Sequence, residues 1–429
     1  MSDSGTEAAL AAWLDRLEKR DPTRIEPGLE RIATVLGRMR LCPPPFPVLT
    51  VGGTNGKGSV VTYLAAFLAA EGRGGVGAYT SPHLGHYRER IAMDGHPVEP
   101  GELVRAFEVV EAAGGDIPLT YFEFGTAAAL EVFRETRVRV AVLEVGLGGR
   151  LDAVNALDAE AAAVVSIGLD HQEWLGNDRD RIGHEKAGIF RSGRPAIIGE
   201  RDPPDGLLGT AQAMGAEIRR IGVDFDVRAT PEGWFYRSGE LERGPFPEPP
   251  IAGWRQRDNV AVALALLEAF DDGPLPPTPW LAEALAAARL PGRIDRRCGE
   301  VEWVLDVAHN PQAAASLAAW LAVAEPRRTL AVFGMLRDKD AAAVGSLLAP
   351  HVSRWFIGTL EGRRGQSAAE LATRMGTAIA DPVLCENIKV AVTAALKEAR
   401  PGDRIVVFGS FHTVGEALDT GKIPAQEAG

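Results

Sequence analysis

The sequence predicts an α/β protein in two parts, an N-terminal doubly wound sheet domain followed by a smaller Rossmann-like α/β domain. Three observations carry the prediction. Short β-branched runs alternate with Ala- and Leu-rich stretches of helical length, the pattern of strand–helix–strand units around a parallel sheet. The alternation breaks between Val223 and Pro250 and restarts after Pro291–Gly292, where we expect the boundary. At 429 residues the chain is also longer than one hydrophobic core usually serves.

The elements follow in order. "FPVLTV", ending at Val51, reads as a strand, then a Gly-rich loop, then a helix over Ser59–Ala70. "GGVGAYTS" reads as a strand ending at Ser81. "VRVAVLEVG" (Val138–Gly146), "AEAAAVVSIG" and "GRPAIIGE" are continuous apolar runs, as expected of strands buried on both faces of a parallel sheet. "VDFDVRATPEGWFYRSGELERGPFPEPP" alternates, with aromatics and turn formers, and predicts a small antiparallel excursion. "RDNVAVALALLEAF" reads as a helix and "DDGPLPPTPW" as a Pro-rich connector. In the second part, "VEWVLDVA", "RRTLAVFGM", "SRWFIGT" and "DRIVVFGS" are four strand candidates. We thus expect domains at 1–290 and 291–429.

Composition excludes some partners. The chain is 46% hydrophobic and 24% charged, with a net charge of -12. That sign is wrong for nucleic acid or an anionic membrane surface. Cys42, Cys298 and Cys385 are far apart and form neither a metal spacing nor a disulfide framework, so a reducing cytoplasm is expected. The N-terminus is charged where a signal peptide needs an apolar run, and no run approaches the roughly 20 apolar residues of a membrane span.

The chemistry gathers at strand ends. In "VGGTNGKGS", glycines at 52, 53, 56 and 58 let the backbone approach phosphates, and the following helix N-terminus adds amide donors. Lys57 can reach β/γ-phosphates and Ser59 can offer a hydroxyl to Mg²⁺. This makes the first domain P-loop ATPase-type, although Gly58 stands where a strict Walker A motif has Ser or Thr. Ser81, in "TSPHL", is either a turn former or a ligand at a sheet's carboxyl edge. Glu144 ends an apolar strand, where a carboxylate is costly unless it is paired or binds a metal. Asp170 and His171 follow another strand and are either structural or ligating. Lys186, in "HEKAGIFRSG", reads from composition alone as a solvated helix lysine. Asp306, His309, Asn310, Ser410 and His412 follow second-domain strands and should gather at one edge, facing a cleft.

Together "GGTNGKGS", "TSPHL", "TYFEFGTAAAL", "EVGLGGRLDAVN", "SIGLDHQEWLG", "EKAGIF", "LPGR", "DVAHNP", "GMLRDKD" and "GSFHTV" resemble the folylpolyglutamate synthase and dihydrofolate synthase family, within the Mur ligase superfamily. The resemblance runs from about Thr23 to Gly415, and its wording is nearest the bifunctional bacterial enzymes. It implies an ATP-binding domain followed by a glutamate-ligase domain. It also implies a reaction: a substrate carboxylate takes the γ-phosphoryl group of ATP, and L-glutamate's amine displaces phosphate from the acyl phosphate. The acceptors would be dihydropteroate and reduced folates.

Site residues carry over from the resemblance. Asn55, Gly56, Lys57, Gly58 and Ser59 would cradle ATP phosphates, with Asn259, Arg293 and Asp306 as further nucleotide contacts. Ser59, Ser81 and Glu144 would hold one Mg²⁺; His171, with Glu144, would hold a second. Lys186 matches a carbamylated lysine that helps bind the second ion, which reverses its solvated reading. Lys57, Lys186, His171 and His309 form the expected catalytic group. Glu26, Gly28, Thr120, Tyr121, Phe122, Glu123, Leu151, Asp152 and Ala153 would meet the pterin, and His309, Ser410 and His412 the glutamate. A monovalent cation such as K⁺ and a monomeric state are further expectations. "IEPG" (Ile25–Gly28) stands where the family often has Asp-Leu-Gly, and "WRQRDN" departs at the adenine side.

Two other readings fit the sequence less well. A cell-wall Mur ligase would carry a nucleotide-sugar domain of about 100 residues before the loop, whereas 51 residues precede Gly52. A regulatory P-loop switch would have no use for a second domain with His309 and His412.

Overall fold

Five buried residues, Val48–Gly52, form a strand inside the first sheet, hydrogen-bonded to a strand on each side and, Thr50 apart, without a polar side chain. The structure is a computed structural model that describes residues 3–19, 28–72, 74–253, 255–270 and 275–425. Glu26, one of the expected pterin residues, lies outside them.

The first sheet holds β1 (Val48–Gly52), β2 (Val76–Tyr79), β3 (Ile91–Met93), β4 (His96–Pro97), β5 (Val140–Glu144), β6 (Ala161–Val164), β7 (Pro195–Ile198) and β8 (Glu217–Arg220). Their order is β4-β3-β2-β5-β1-β6-β7-β8. From β2 to β8 the strands run parallel, and β3 and β4 add an antiparallel hairpin at one edge. Val51 pairs with Glu144 and Gly52 with Val164, so β5, β1 and β6 end at the same level. Their three loops therefore open side by side at the carboxyl edge, where open α/β sheets bind ligands.

The excursion is present as a three-stranded antiparallel sheet of β9 (Phe225–Thr230), β10 (Gly233–Ser238) and β11 (Leu241–Phe246). Trp234, Tyr236 and Phe246 are its buried face, and the Trp234 and Phe246 rings lie 4.9 Å apart.

A second unit, chiefly Arg289 onward with short stretches at Leu84–His86 and Pro250–Gln256, has its own sheet and core. Its strands are β12 (Asp295–Arg297), β13 (Glu302–Asp306), β14 (Thr329–Phe333), β15 (Arg354–Gly358), β16 (Val383–Cys385) and β17 (Arg404–Phe408), in the order β12-β13-β17-β14-β15-β16. All are parallel except β12.

Several boundaries differ from the sequence reading. The helix after the Gly-rich loop spans Lys57–Ala69, two residues earlier than read, because Gly56 caps it in a left-handed conformation at φ 86°. The second strand stops at Tyr79, short of Ser81. A helix, Thr278–Ala287, begins inside the Pro-rich connector, since a proline in the first turn has no amide hydrogen to waste. No helix among the described residues is long and apolar enough to cross a membrane.

Candidate active site

The Gly-rich loop is braced from below by the loop after β6. Thr54 N–H donates to the Ser166 carbonyl at 2.8 Å, and the Ser166 hydroxyl meets both Asn55 N and Asn55 O at 2.9 Å. Thr54 Oγ1 in turn accepts from Gly168 N at 2.9 Å. Two glycines make the fit possible. Gly53 sits at φ 146°, and a Cβ there would press on Val165 and Ser166 at 3.2 Å. At Gly56 a Cβ would lie 2.9 Å from both Asn259 Oδ1 and Val165 Cγ1, which places Asn259 directly against the loop. Gly56→Ala combines a left-handed φ with that overlap. It should destabilise the protein by about 1–3 kcal/mol, measured by denaturant unfolding.

Above the loop, two lysines converge on one oxygen. Lys57 Nζ donates to the Gly53 carbonyl at 3.1 Å and to Thr54 O at 3.3 Å. Lys186 Nζ donates to the same Gly53 carbonyl at 3.1 Å. Glu144 Oε1 lies 4.0 Å from Lys57 Nζ, and its Oε2 accepts the Ser81 N–H at 3.2 Å. Ser81, Glu144, Lys57 and Lys186 therefore form one linked set around the loop. Ser59, 1% exposed, sits in the first turn of the helix beneath it.

Lys186 is only 4% exposed, so the solvated reading from composition does not hold. Glycines bury it: a Cβ at Gly149 would lie 3.0 Å from the Lys186 Cα, and one at Gly188 would strike Arg150. Burial pulls the Lys186 pKa down to about 7; the nearby Lys57 charge adds to this, while Asp170 and Asp152 oppose it. Asp152 is pushed up to about 7 by burial, against the pull of backbone amides at Leu147, Val154 and Gly146. Its carboxylate caps the short turn Ala153–Ala156 and holds the Leu147 amide at 2.8 Å. His171 takes a left-handed φ of 51° after Asp170, with Nε2 4.0 Å from Asp170 Oδ2.

On the neighbouring helix Tyr121–Glu135, Thr120 and Glu123 form a capping box, and Glu123 Oε1 also accepts from Arg31 at 3.1 Å. Their polar atoms serve the helix. Phe122 lies against Gly146, where a Cβ would come within 2.5 Å of its ring, and 5.8 Å from the Tyr79 ring. Tyr121 meets Tyr87 at 5.9 Å, with the Arg90 guanidinium 5.4 Å over the Tyr121 ring. Leu151 is 38% exposed, while Ala153 is buried and Gly28 half-buried.

In the second unit, β13 and β17 are adjacent and end together, with Asp306 opposite Phe408. Asp306 accepts from Ile294 N at 2.9 Å and Ala308 N at 2.7 Å, and burial raises its pKa against the Arg293 charge. His309 Nδ1 meets the Val307 carbonyl at 2.8 Å. Arg293 and His309 both approach the Phe411 ring, at 5.3 Å and 6.5 Å. Asn310 and Ser410 cap the helices Pro311–Val323 and Phe411–Leu418. His412 is exposed on the latter.

Among the described residues no three His, Cys, Asp or Glu side chains come close enough to hold a metal. The donors present still suit Mg²⁺, which is usually bound by one or two carboxylates, water and substrate phosphates rather than a protein cage. Glu144, 4.0 Å from Lys57 at the phosphate loop, supplies that minimum. The sequence reading missed the Gly53 carbonyl and Ser166. Ser166 was visible as a polar residue ending an apolar strand, but the carbonyl leaves no sequence signal.

Residues 51–229 match the Mur ligase middle domain, and residues 292–411 match the Mur ligase glutamate ligase domain. The chain is 41% identical over 423 residues to the dihydrofolate synthase/folylpolyglutamate synthase of Escherichia coli K12, covering 98% of this chain and 97% of that one. The Haemophilus influenzae protein of the same name is 36% identical over 95% of the chain and 96% of its own length. Escherichia coli FolC in complex with DHPP and ADP superposes with a TM-score of 0.88 at 41% identity, over 96% and 97% of the two chains. A bifunctional folylpolyglutamate synthase/dihydrofolate synthase with Mn, AMPPNP and L-glutamate bound gives the same values. The chain belongs to the dihydrofolate synthase/folylpolyglutamate synthase family of Mur ligases.

Proposed function

We propose that this chain is an ATP-dependent ligase that adds L-glutamate to 7,8-dihydropteroate and further L-glutamates to reduced folates. The observation that carries it is the linked set around Gly53: a buried Lys186 and a half-buried Lys57 on one carbonyl, beside a buried carboxylate, at a phosphate loop. Full-length likeness to enzymes that bear both activity names supports it.

A carboxylate is a poor acceptor for an amine because its oxide is a poor leaving group. Transfer of the γ-phosphoryl group to a carboxylate oxygen releases ADP and gives an acyl phosphate. The glutamate nitrogen then bonds to the acyl carbon, phosphate leaves with the former C–O pair, and the nitrogen sheds a proton. The protein's part is positioning and charge neutralisation. Amides of Asn55–Ser59 hold the phosphates, and Lys57 turns from Gly53 and Thr54 toward them. Asn259, Arg293 and Asp306 contact the nucleotide. Ser59, Ser81 and Glu144 hold one Mg²⁺; Glu144, His171 and a carbamylated Lys186 hold a second. A bound divalent ion neutralises the charge developing on the phosphate oxygens. Tyr121, Phe122 and Leu151–Ala153 form the pterin side, with Gly28, Thr120 and Glu123 shaping it. His309, Ser410 and His412 form the glutamate side.

On this reading residues 1–290 bind ATP and 291–429 act as the glutamate-ligase domain. The chain works as a monomer in the cytoplasm, where its three free cysteines stay reduced. A K⁺ ion is a further proposed requirement.

The test is a substrate panel. The purified protein with ATP, Mg²⁺ and L-glutamate should convert dihydropteroate to dihydrofolate and extend a reduced folylmonoglutamate, both read by mass. Chelating the divalent ion should stop both. Extension of folates alone removes the first activity; ATP hydrolysis indifferent to acceptor and glutamate, without product, overturns the ligase.

A further inference from the structure

The segment "GRPAIIGE" reads from sequence only as a strand. In the structure β7 stops at Ile198, and residues 199–202 form a loop at the carboxyl edge, next to the loop after β6. Gly199 brings the two close. Its amide donates to the Val164 carbonyl at 2.9 Å, and a Cβ there would lie 3.0 Å from Val165 O and 2.6 Å from Val262 Cγ2.

Glu200 is 4% exposed, and a carboxylate so buried is costly unless its oxygens are satisfied. Oε1 accepts from Asp202 N at 3.2 Å, with Arg179 Nη2 3.9 Å away. Oε2 accepts from Ile167 N at 3.0 Å. The first bond is local to the loop. The second reaches 33 residues back, to the residue between Ser166 and Gly168, the two that brace the phosphate loop. Arg179 opens the helix Arg179–Ala187, which carries Lys186, and also donates to Asp202 Oδ2 at 2.9 Å. Beside Glu200, Arg201 makes a two-bond pair with Asp258, at 2.9 Å and 2.7 Å, and meets Asp226 Oδ1 at 2.8 Å. Asp258 lies in the first turn of the helix Gln256–Phe270 and precedes Asn259, which lies against Gly56.

We propose that Glu200 and Arg201 are positioning residues that hold the phosphate loop in register for ATP. The inference rests on the ligase reading above and names residues which that reading leaves out. A glycine-rich loop has little stiffness of its own. Its amides stay aimed at phosphates only as far as its supports are fixed. Glu200 fixes one support, the backbone at Ile167, and Arg201 fixes another, the helix start that sets Asn259 against the loop. A turn at residues 199–202 would be complete with the Asp202 amide alone. The bond to Ile167 puts a buried charge on a distant backbone amide, which serves the loop after β6 and not the turn. Both supports belong to the nucleotide side of the site rather than the pterin side.

The experiment is calorimetric titration of AMPPNP with Mg²⁺ into Glu200→Ala, Glu200→Gln and Arg201→Ala, together with KM values for ATP and dihydropteroate. Glu200→Ala should weaken AMPPNP about tenfold and raise the ATP KM in step, with the dihydropteroate KM within about twofold of wild type. Glu200→Gln keeps an oxygen for Ile167 N and should stay within about threefold of wild type. Arg201→Ala removes an exposed side chain and should weaken AMPPNP about threefold. Unchanged AMPPNP affinity in Glu200→Ala overturns the proposal. So does a Gln variant as weak as Ala, or an equal rise in both KM values, the mark of general loosening. Where Glu200→Ala does not fold, Arg201→Ala decides, and wild-type AMPPNP affinity in that variant overturns the proposal. Wild-type protein that binds AMPPNP but forms no amide product sinks the ligase reading, while the AMPPNP affinities still decide the positioning roles.

Discussion

Lys186→Ala is expected to lower the ligase rate by about 10²–10³-fold, the scale seen when one preorganised charge-stabilising group is removed. The side chain is buried, shares the Gly53 carbonyl with Lys57, and has its pKa drawn down to about 7. Near neutral pH much of it is the free amine, which can attack the carbon of CO₂. The N–C bond forms as an oxygen takes the C=O pair and the nitrogen loses a proton. The product would be a carboxylate where a cation stood, close to the Lys57 charge. Acetate should partly rescue the Ala variant by placing a carboxylate in the space left. Full activity of the variant would return Lys186 to a structural role. Stability separates the two roles. The folded pKa lies below the usual 10.5, so the unmodified lysine's contribution is complete above 10.5 and is lost as pH falls through about 7. Lys186→Met should remove that loss. It should melt above CO₂-depleted wild type at pH 6 while remaining inactive, measured by thermal unfolding.

The sequence made the parallel core legible because strands covered on both faces are largely apolar, and β1, β5 and β6 are buried throughout. The edge strands left no such trace. β4, β8, β12 and β16 are short, polar or half-exposed, since one side of each has no neighbouring strand. Residue types at strand ends raised Glu144 as a ligand and left Ser81 and His171 open, and the burial of Lys186 did not follow from the polar residues of its helix. That helix reads as polar, and what encloses Lys186 is the absence of side chains at Gly149 and Gly188. Gly188 follows Lys186 closely in sequence, but the approach of Gly149 is a three-dimensional fact. Conversely, "TYFE" spells a capping box, a Thr followed three residues later by Glu, a signal that the sequence reading passed over in giving Thr120 and Glu123 to the pterin.

Glu144→Gln should lower the rate by about 10²–10³-fold while leaving the fold intact. Glutamine keeps the shape of the side chain at the end of β5, and its carbonyl oxygen can still accept the Ser81 amide. What it removes is the negative charge 4.0 Å from Lys57. Two consequences separate by measurement. If Glu144 holds the divalent ion, half-maximal activity should need at least about tenfold more Mg²⁺, and Mn²⁺ binding read by spin resonance without turnover should weaken in parallel. If Glu144 serves only to aim Lys57, the rate falls but the metal dependence of the residual activity matches wild type, and KM for ATP carries the loss. The first outcome is expected because the carboxylate is buried with one oxygen turned to a backbone amide and the other toward a lysine that must leave for the phosphates. A cation that takes that lysine's place would keep a charge so placed stabilised in the working complex.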